Sequence, residues 1–236
     1  MLLYPGLAAG GAGQATPVSS SSPQLIAAGR QLFITGCGSC HGMDANGIKG
    51  VAPSLQGVGA LAADFELTTG RMPLSQINSE PMRGRPRYDA AQIRALTAYI
   101  GSLGGPSVPH VDVASGSLSL GQQLFTETCA GCHQIAARGG MVTGASVPPL
   151  TSATPTQIAE AIRFGPYLMP VFGPHQLNDH DIASIARYLV QTRHPTSPGG
   201  AGIGYLGPVP EGMVTWLLAL PLLLLVTRLI GRRSER

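Results

Sequence analysis

The pentads "CGSCH" at residues 37–41 and "CAGCH" at 129–133 use all four cysteines of the chain. Two residues between the cysteines put both sulfurs on one side of a helical turn, and the next residue projects an imidazole from that turn. The sequence around the two copies repeats as well. "GRQLFITGCGSCHG" at 29–42 matches "GQQLFTETCAGCHQ" at 121–134, and "APSL" at 52–55 parallels "PPL" at 148–150. "GRMP" at 70–73 parallels "YLMP" at 167–170, and "DAAQIRALTAYIGSL" at 89–103 resembles "NDHDIASIARYLVQT" at 178–192. The offset drifts from 92 to 97 and back to 89, as it does when two copies differ only in their loops. An ordered repeat of this kind means duplicated domains.

Each copy reads as a few short helices joined by irregular loops. The first helix carries Leu25, Ile26, Leu32 and Phe33 in one copy, and Leu118, Leu124 and Phe125 in the other. The last helix opens on a cap, Asp89 with Gln92 and Asn178 with Asp181, three residues apart in each case. Ile93, Leu96, Ile100 and Leu103 then keep helical spacing, as do Ile182, Ile185 and Leu189. Alternating strand patterns are absent, so both domains are expected to be all-α. The 32 glycines and 20 prolines fit the loops between helices. Domains of this size bury small cores and commonly need a metal or cofactor as a staple. The expected boundaries are an N-terminal tail or export remnant at 1–21, a first domain at 22–105 and a linker at 106–116. A second domain at 117–195 follows, then a Gly/Pro linker at 196–211, an apolar span at 212–230 and a basic tail at 231–236.

A C-x-x-C-H run is the attachment signature of c-type haem. Both sulfurs reach substituents on one edge of the porphyrin, and the imidazole projects under the ring toward the iron. Zinc is the competing use of a C-x-x-C pair, but a zinc ribbon would not place His directly after both pairs. A redox-active C-x-x-C calls for a thioredoxin-like βαβ setting, and the pattern holds none. The cofactor expectation is two covalently bound haem c, attached at Cys37/Cys40 and Cys129/Cys132, with His41 and His133 as iron ligands. Met raises the potential of a His-ligated haem and closes its sixth position, which suits electron transfer. Each repeat offers a Met followed by Pro: Met72, 31 residues after His41, and Met169, 36 after His133. Met43 and Met141 follow their histidines too soon to reach the opposite face, and Met82 is the rival of Met72. His110, His175, His180 and His194 fall in linker or polar loop and are not expected as ligands.

The mean hydropathy of +0.18 is high for a soluble chain and comes from the C-terminal end. "MVTWLLALPLLLLVTRLI", Met213 to Ile230, holds one charge, Arg228, near its end. As a helix it spans roughly 27 Å, close to the hydrocarbon thickness. Trp216 sits where an interfacial aromatic would, and Arg232, Arg233 and Arg236 follow the span, which puts the C-terminus in the cytoplasm and the haem domains outside. The net charge of +3 is too small for a nucleic-acid binder, and up to residue 208 the 11 basic and 10 acidic side chains nearly cancel. Haem propionates would make that body acidic, and Lys49 is the one lysine, so a lysine-steered mobile carrier is disfavoured.

Each repeat resembles a class I cytochrome c domain. In that family a Gly and an aromatic on the first helix pack against an aromatic on the last, and Gly29, Phe33, Tyr99 and Gly121, Phe125, Tyr188 match. The resemblance also implies a Pro carbonyl that holds the other ring nitrogen of the haem histidine. Pro53 fits, and Pro148, adjacent to Pro149, is the closest counterpart. Over roughly residues 24–230 the whole chain resembles the dihaem cytochrome c subunit of the actinobacterial cytochrome bcc complex. The resemblance rests on the tandem pentads, "TGRMP" at 69–73, and "GYLGPVPEGM" running into the apolar span. It implies a relay from quinol oxidation, through a Rieske iron–sulfur protein, to a terminal haem-copper oxidase, with a cytochrome b subunit as neighbour. It makes the chain the electron-transfer subunit of an oxidoreductase, not its quinol-oxidising site. It also implies an Arg-rich first membrane span, which residues 1–21 do not contain. A dihaem peroxidase or dehydrogenase subunit, and the dihaem subunit of a haem-copper oxidase, are the alternatives.

Overall fold

The computed structural model describes residues 22–77, 79–142, 144–193 and 208–234. The N-terminal tail, His194, most of the Gly/Pro linker and the last two residues lie outside the described residues. The chain divides after Tyr188 into two compact units.

In the first unit, α1 (Pro23–Gly36), α2 (Gly38–His41), α3 (Gly59–Thr68) and α4 (Ala90–Ser102) make the first copy. A 3₁₀ turn at Val113–Ser115 precedes α5 (Leu118–Thr128), α6 (Ala130–His133), β1 (Gly140–Val142), β2 (Ala145–Val147), α7 (Pro155–Phe164) and α8 (Asp179–Arg193), whose residues after Tyr188 fall in the second unit. Local chemistry explains each start. Pro23 takes the first turn of α1, where it has no N–H to lose, and the Ser22 side chain accepts from Leu25 N. Asp89 and Gln92 close a capping box on α4, and Thr154 and Gln157 close another on α7. Asn178 and Asp181 exchange the same two bonds, 2.9 and 3.0 Å, at the start of α8.

The first and last helices of each copy cross at a glycine. A Cβ on Gly29 would stand 1.9 Å from the Ala95 carbonyl oxygen, and one on Gly121 would stand 1.9 Å from that of Ser184. The backbones touch there, and the aromatics one turn further along meet beside the contact. The Phe33 and Tyr99 rings are 5.2 Å apart and tilted 50°; those of Phe125 and Tyr188 are 5.4 Å apart and tilted 46°. Tilted pairs of this kind add about 0.5–1.5 kcal/mol beyond their burial. Phe33, Ile93, Leu96, Tyr99 and Ile100 form the first core, joined by Ala45 and Leu67. Phe125, Ile158, Ile162, Leu177, Ile182 and Ile185 are the buried counterparts in the second copy.

Two details depart from the expectation. An antiparallel hairpin pairs Gly140 with Val147 and Val142 with Ala145, in a region expected to be strand-free. Its pairs are short and mostly exposed, so the sequence has no alternation long enough to announce them. His180, expected in a polar loop, lies in the first turn of α8.

In the second unit, α9 runs from Pro208 to Ser234, with Pro221 inside it. Gly212–Arg232 is long and apolar enough to cross a membrane, and none of it is buried. Its leucines face outward all round, from Leu217 to Leu229. A helix apolar on every side has no water-facing stripe, which in a small chain fits lipid better than solvent.

The glycine crossings generate a stability test. Gly29→Ala and Gly121→Ala should each cost about 2–3 kcal/mol, because the added methyl group meets a carbonyl that the facing helix cannot withdraw. Denaturant titration of each variant measures this, and an unchanged midpoint would show that the helices do not depend on the close approach.

Candidate haem sites

Both pentads are built by the same backbone bonds. In the first, Cys37 N donates to Phe33 O at 2.8 Å, Cys40 N to Cys37 O at 3.1 Å and His41 N to Cys37 O at 2.9 Å. In the second, Cys129 N donates to Phe125 O at 2.9 Å, Cys132 N to Cys129 O at 3.1 Å and His133 N to Cys129 O at 2.9 Å. Each first cysteine ends one helix and starts the next, so the short pentad helix turns away from the long one. The aromatic that packs on the last helix is therefore the same residue that anchors the first cysteine. Crossing and pentad are one piece.

The loop after each pentad is wired alike. Gly47 N donates to His41 O at 2.7 Å and Gly139 N to His133 O at 3.1 Å; Leu55 N reaches Ala45 O at 2.8 Å, as Leu150 N reaches Ala137 O at 2.8 Å. Ala45 and Ala137 are buried in the left-handed region, at φ 62° and 55°. This loop carries a proline carbonyl onto the imidazole. His41 Nδ1 lies 2.9 Å from Pro53 O, and His133 Nδ1 lies 3.3 Å from Pro148 O. A carbonyl only accepts, so the proton sits on Nδ1 and the lone pair is left on Nε2. Such an imidazole is a fixed-tautomer metal ligand. The carbonyl used is that of Pro148 and not Pro149. The interval from histidine to proline grows from 12 residues to 15, and the hairpin occupies the longer loop.

All four cysteines are free. Burial first, then the neighbouring Cys40, pushes the Cys37 thiol up to about 11, against a hydrogen bond from Tyr88. Burial raises Cys129 as well. A redox-active dithiol needs the opposite shift. Among the described residues no group of three or more His, Cys, Asp or Glu side chains gathers as a metal cluster. Burial also lowers His133, opposed by its bond to Pro148, so the ring is a neutral donor. These features fit haem c, with the cysteines as thioether bridges and Nε2 toward iron.

The methionines differ in setting. Met72 packs against the core cluster that also meets Cys37, whereas Met82 is 49% exposed. Met169 is half-buried, and its N donates to Pro166 O at 3.0 Å. Met43 and Met141 are exposed, and so is His110.

Three neighbours escape a motif-based reading. Tyr88 Oη stands 2.1 Å from where a Cβ on Gly36 would be, beside the Cys37 sulfur. The Arg71 guanidinium lies 5.2 Å over the Phe65 ring and donates to Pro81 O at 2.6 Å. Burial pushes the Glu66 carboxyl up to about 7, with the Arg71 charge pulling it back. Arg71 stands inside the quoted "TGRMP", the one local signal that could have drawn attention to it.

A helical scaffold whose first and last helices cross at a glycine, with a C-x-x-C-H turn and a carbonyl-locked histidine, defines the c-type cytochromes. Such domains carry covalently bound haem c, and this chain has two of them. Residues 26–104 match the family model for Cytochrome c, and residues 116–189 match that for Cytochrome C oxidase, cbb3-type, subunit III. The chain is 37% identical over 231 residues to the cytochrome bc1 complex cytochrome c subunit of Mycobacterium tuberculosis, covering 94% of this chain and 82% of that protein. The subunit of the same name from Corynebacterium diphtheriae is 35% identical over 240 residues, 94% of this chain and 85% of its own. The Cbb3-type cytochrome c oxidase subunit CcoP of Azospirillum is 27% identical over 186 residues, 70% of this chain and 61% of its own. The chain belongs to the family of cytochrome bc1 complex cytochrome c subunits.

The loop wiring yields a prediction. Gly47 has φ +79°, and a Cβ there would lie 2.6 Å from the Pro53 carbonyl carbon; Gly139 has φ +68°, with the same 2.6 Å to that of Pro148. Gly47→Ala should cost about 1–3 kcal/mol from backbone strain and push the Pro53 carbonyl off His41. By NMR of the reduced protein, the Nδ1 proton of His41 should exchange faster with solvent while that of His133 keeps its rate. Equal protection of His41 in variant and wild type would rule out this coupling.

Proposed function

We propose that this chain is the membrane-anchored dihaem cytochrome of a quinol-oxidising cytochrome bcc complex, relaying electrons from its Rieske protein to a terminal haem-copper oxidase. The carrying observation is that one chain holds two identically wired haem-type turns followed by a fully exposed apolar helix. Two haem c attach through Cys37/Cys40 and Cys129/Cys132, with His41 and Met72 on one iron and His133 and Met169 on the other. When bound, haem c supplies a one-electron ferric/ferrous couple at a potential raised by the thioether. The chain's own residues do the rest. Pro53 and Pro148 orient the imidazoles, with the proton on Nδ1 and Nε2 left to bind the iron. Two filled axial positions per site favour electron transfer over peroxide chemistry.

The cytochrome b and Rieske subunits and the oxidase are the partners this reading requires, with no nucleic acid. On this reading the haem domains lie on the outer side of the plasma membrane, and Arg228, Arg232 and the basic residues after them favour a cytoplasmic C-terminus. Anchoring raises the effective concentration of partners in the same membrane, which a nearly neutral body with one lysine cannot achieve by steering. A second reading, a subunit of the oxidase itself, draws on the match of residues 116–189 to an oxidase subunit family. Purification in mild detergent separates the two. Haem b and a Rieske protein should copurify, whereas recovery with the copper oxidase alone favours the second reading.

Met72→His should leave its haem low-spin but lower that site's potential, since imidazole favours ferric iron more than thioether does. The weak sulfur-to-iron absorption should fall without vanishing, because Met169 keeps its share. If Met82→His produced that loss and Met72→His did not, the ligand would be Met82.

Deleting residues 208–236 removes the membrane burial, and the released fragment should still bind two haems by pyridine haemochrome assay. Quinol-driven oxygen consumption should collapse. Full activity with the fragment at native abundance would restore the mobile-carrier reading.

A further inference from the structure

The two halves of the first unit meet along a seam between α3 and α7. Gln157 Nε2 donates to Thr68 Oγ1 at 3.1 Å, the Phe65 and Phe164 rings lie 6.2 Å apart, and Arg83 donates to Ser152 O at 3.3 Å. Tyr167 Oη donates to Glu80 at 2.7 Å nearby. Within this seam Glu160 of α7 is 0% exposed, and neither of its oxygens meets a hydrogen-bond donor among the described residues. The group that faces it is the half-buried carboxyl of Asp64 on α3. Beside Asp64 lies the Thr97 hydroxyl of α4, also buried and lacking a partner at ordinary distance.

The charged side chains of the surrounding elements are turned to other tasks. Arg71 lies in the field of Glu66 and donates to Pro81 O, and Arg83 serves Ser152 O. Arg163 of α7 bonds Phe172 O, Leu177 O and Asp179, and Arg187 of α8 bonds Gly116 O. Two carboxylates in one seam, one of them fully buried and with no cation among these neighbours, repel each other and cannot hydrogen-bond. One proton between them converts the same pair into a donor and an acceptor.

We infer that Asp64 and Glu160 share one proton across the seam, and that this proton positions the two haem-binding halves against each other. The pair is a positioning element on the two helices that precede the Met-Pro motifs. Burial first, and then the charge and hydrogen bond of Asp64, push Glu160 up to about 9, and burial raises Asp64 also. The sign follows from linkage. Glu160 holds its proton more tightly folded than unfolded, so the seam is most stable at low pH. It weakens as pH rises from the ordinary carboxylate range through about 9. At neutral pH the proton is in place.

The test uses the full-length, haem-loaded protein in detergent, without electron donors or acceptors, so that the shared proton and the relay stand or fall separately. Infrared difference spectra should show a protonated carboxylic acid at pH 7 that titrates near 9. Glu160→Gln should abolish the component that titrates near 9, leaving the one that Glu66 contributes near 7. Asp64→Asn should lower the midpoint of the Glu160 component by about one unit or more, since the neighbouring charge is gone. Nitroxide labels on keto side chains at the exposed positions Arg94 and Gln122 report the separation of the halves. In the wild type the distance distribution should broaden as pH passes the midpoint, while in Glu160→Gln it should stay narrow throughout. Absence of the component that titrates near 9 overturns the proposal, as does a wild-type distance unchanged from pH 7 to above the midpoint. A Glu160→Gln protein that broadens with pH as the wild type does also overturns it. If Glu160→Gln does not fold, the wild-type pH series and the Asp64→Asn midpoint decide alone.

Discussion

Both haem-binding halves depend on a backbone contact between their first and last helices. At Gly29 and again at Gly121 the space that a Cβ needs is filled by a carbonyl of the facing helix. That contact brings Phe33 onto Tyr99 and Phe125 onto Tyr188, and each phenylalanine carbonyl then accepts the N–H of the first pentad cysteine. One crossing therefore sets the core, the end of the first helix and the start of the C-x-x-C-H turn. Widening it would move the cysteines as well as loosen the packing.

The loop after the turn shows which parts of the copy were free to vary. Gly42 and Gln134 occupy the same left-handed step, at φ 77° and 62°, although their side chains have nothing in common. The bonds from Gly47 to His41, and from Gly139 to His133, are kept, and so is the proline carbonyl on the imidazole. Between these fixed points the second copy accommodates a hairpin. Extra residues in a surface loop cost little closure entropy so long as the ends stay where they are. Duplication has preserved the geometry around the pentad histidine and released the rest.

The two copies also differ in what they bring to each other. α3 supplies Asp64, Phe65 and Thr68; α7 supplies Gln157, Glu160 and Phe164. The seam is partly aromatic and partly polar, and the same two helices lead into the loops that carry Met72 and Met169. A pair of electron-carrying sites in one compact unit needs a fixed spacing, and a seam with defined hydrogen bonds provides it better than a slippery apolar face.

Much was legible in the sequence because the decisive signals are local. The pentads, the caps at Asp89 and Asn178, the helical spacing of the last helices and the apolar run of α9 each depend on residues a few positions apart. The glycine and aromatic partners could be matched because the chain repeats them. The tertiary structure alone decided that the Pro148 carbonyl, rather than that of Pro149, reaches His133, and that a hairpin fills the longer loop. It also put Met72 against the core while leaving Met82 exposed. Glu160 shows the reason most clearly. In "IAEAI" it reads as an ordinary helical acid, and only the approach of α3 buries it against Asp64. Burial and charge–charge contact are set by residues distant in the chain, and no local pattern encodes them.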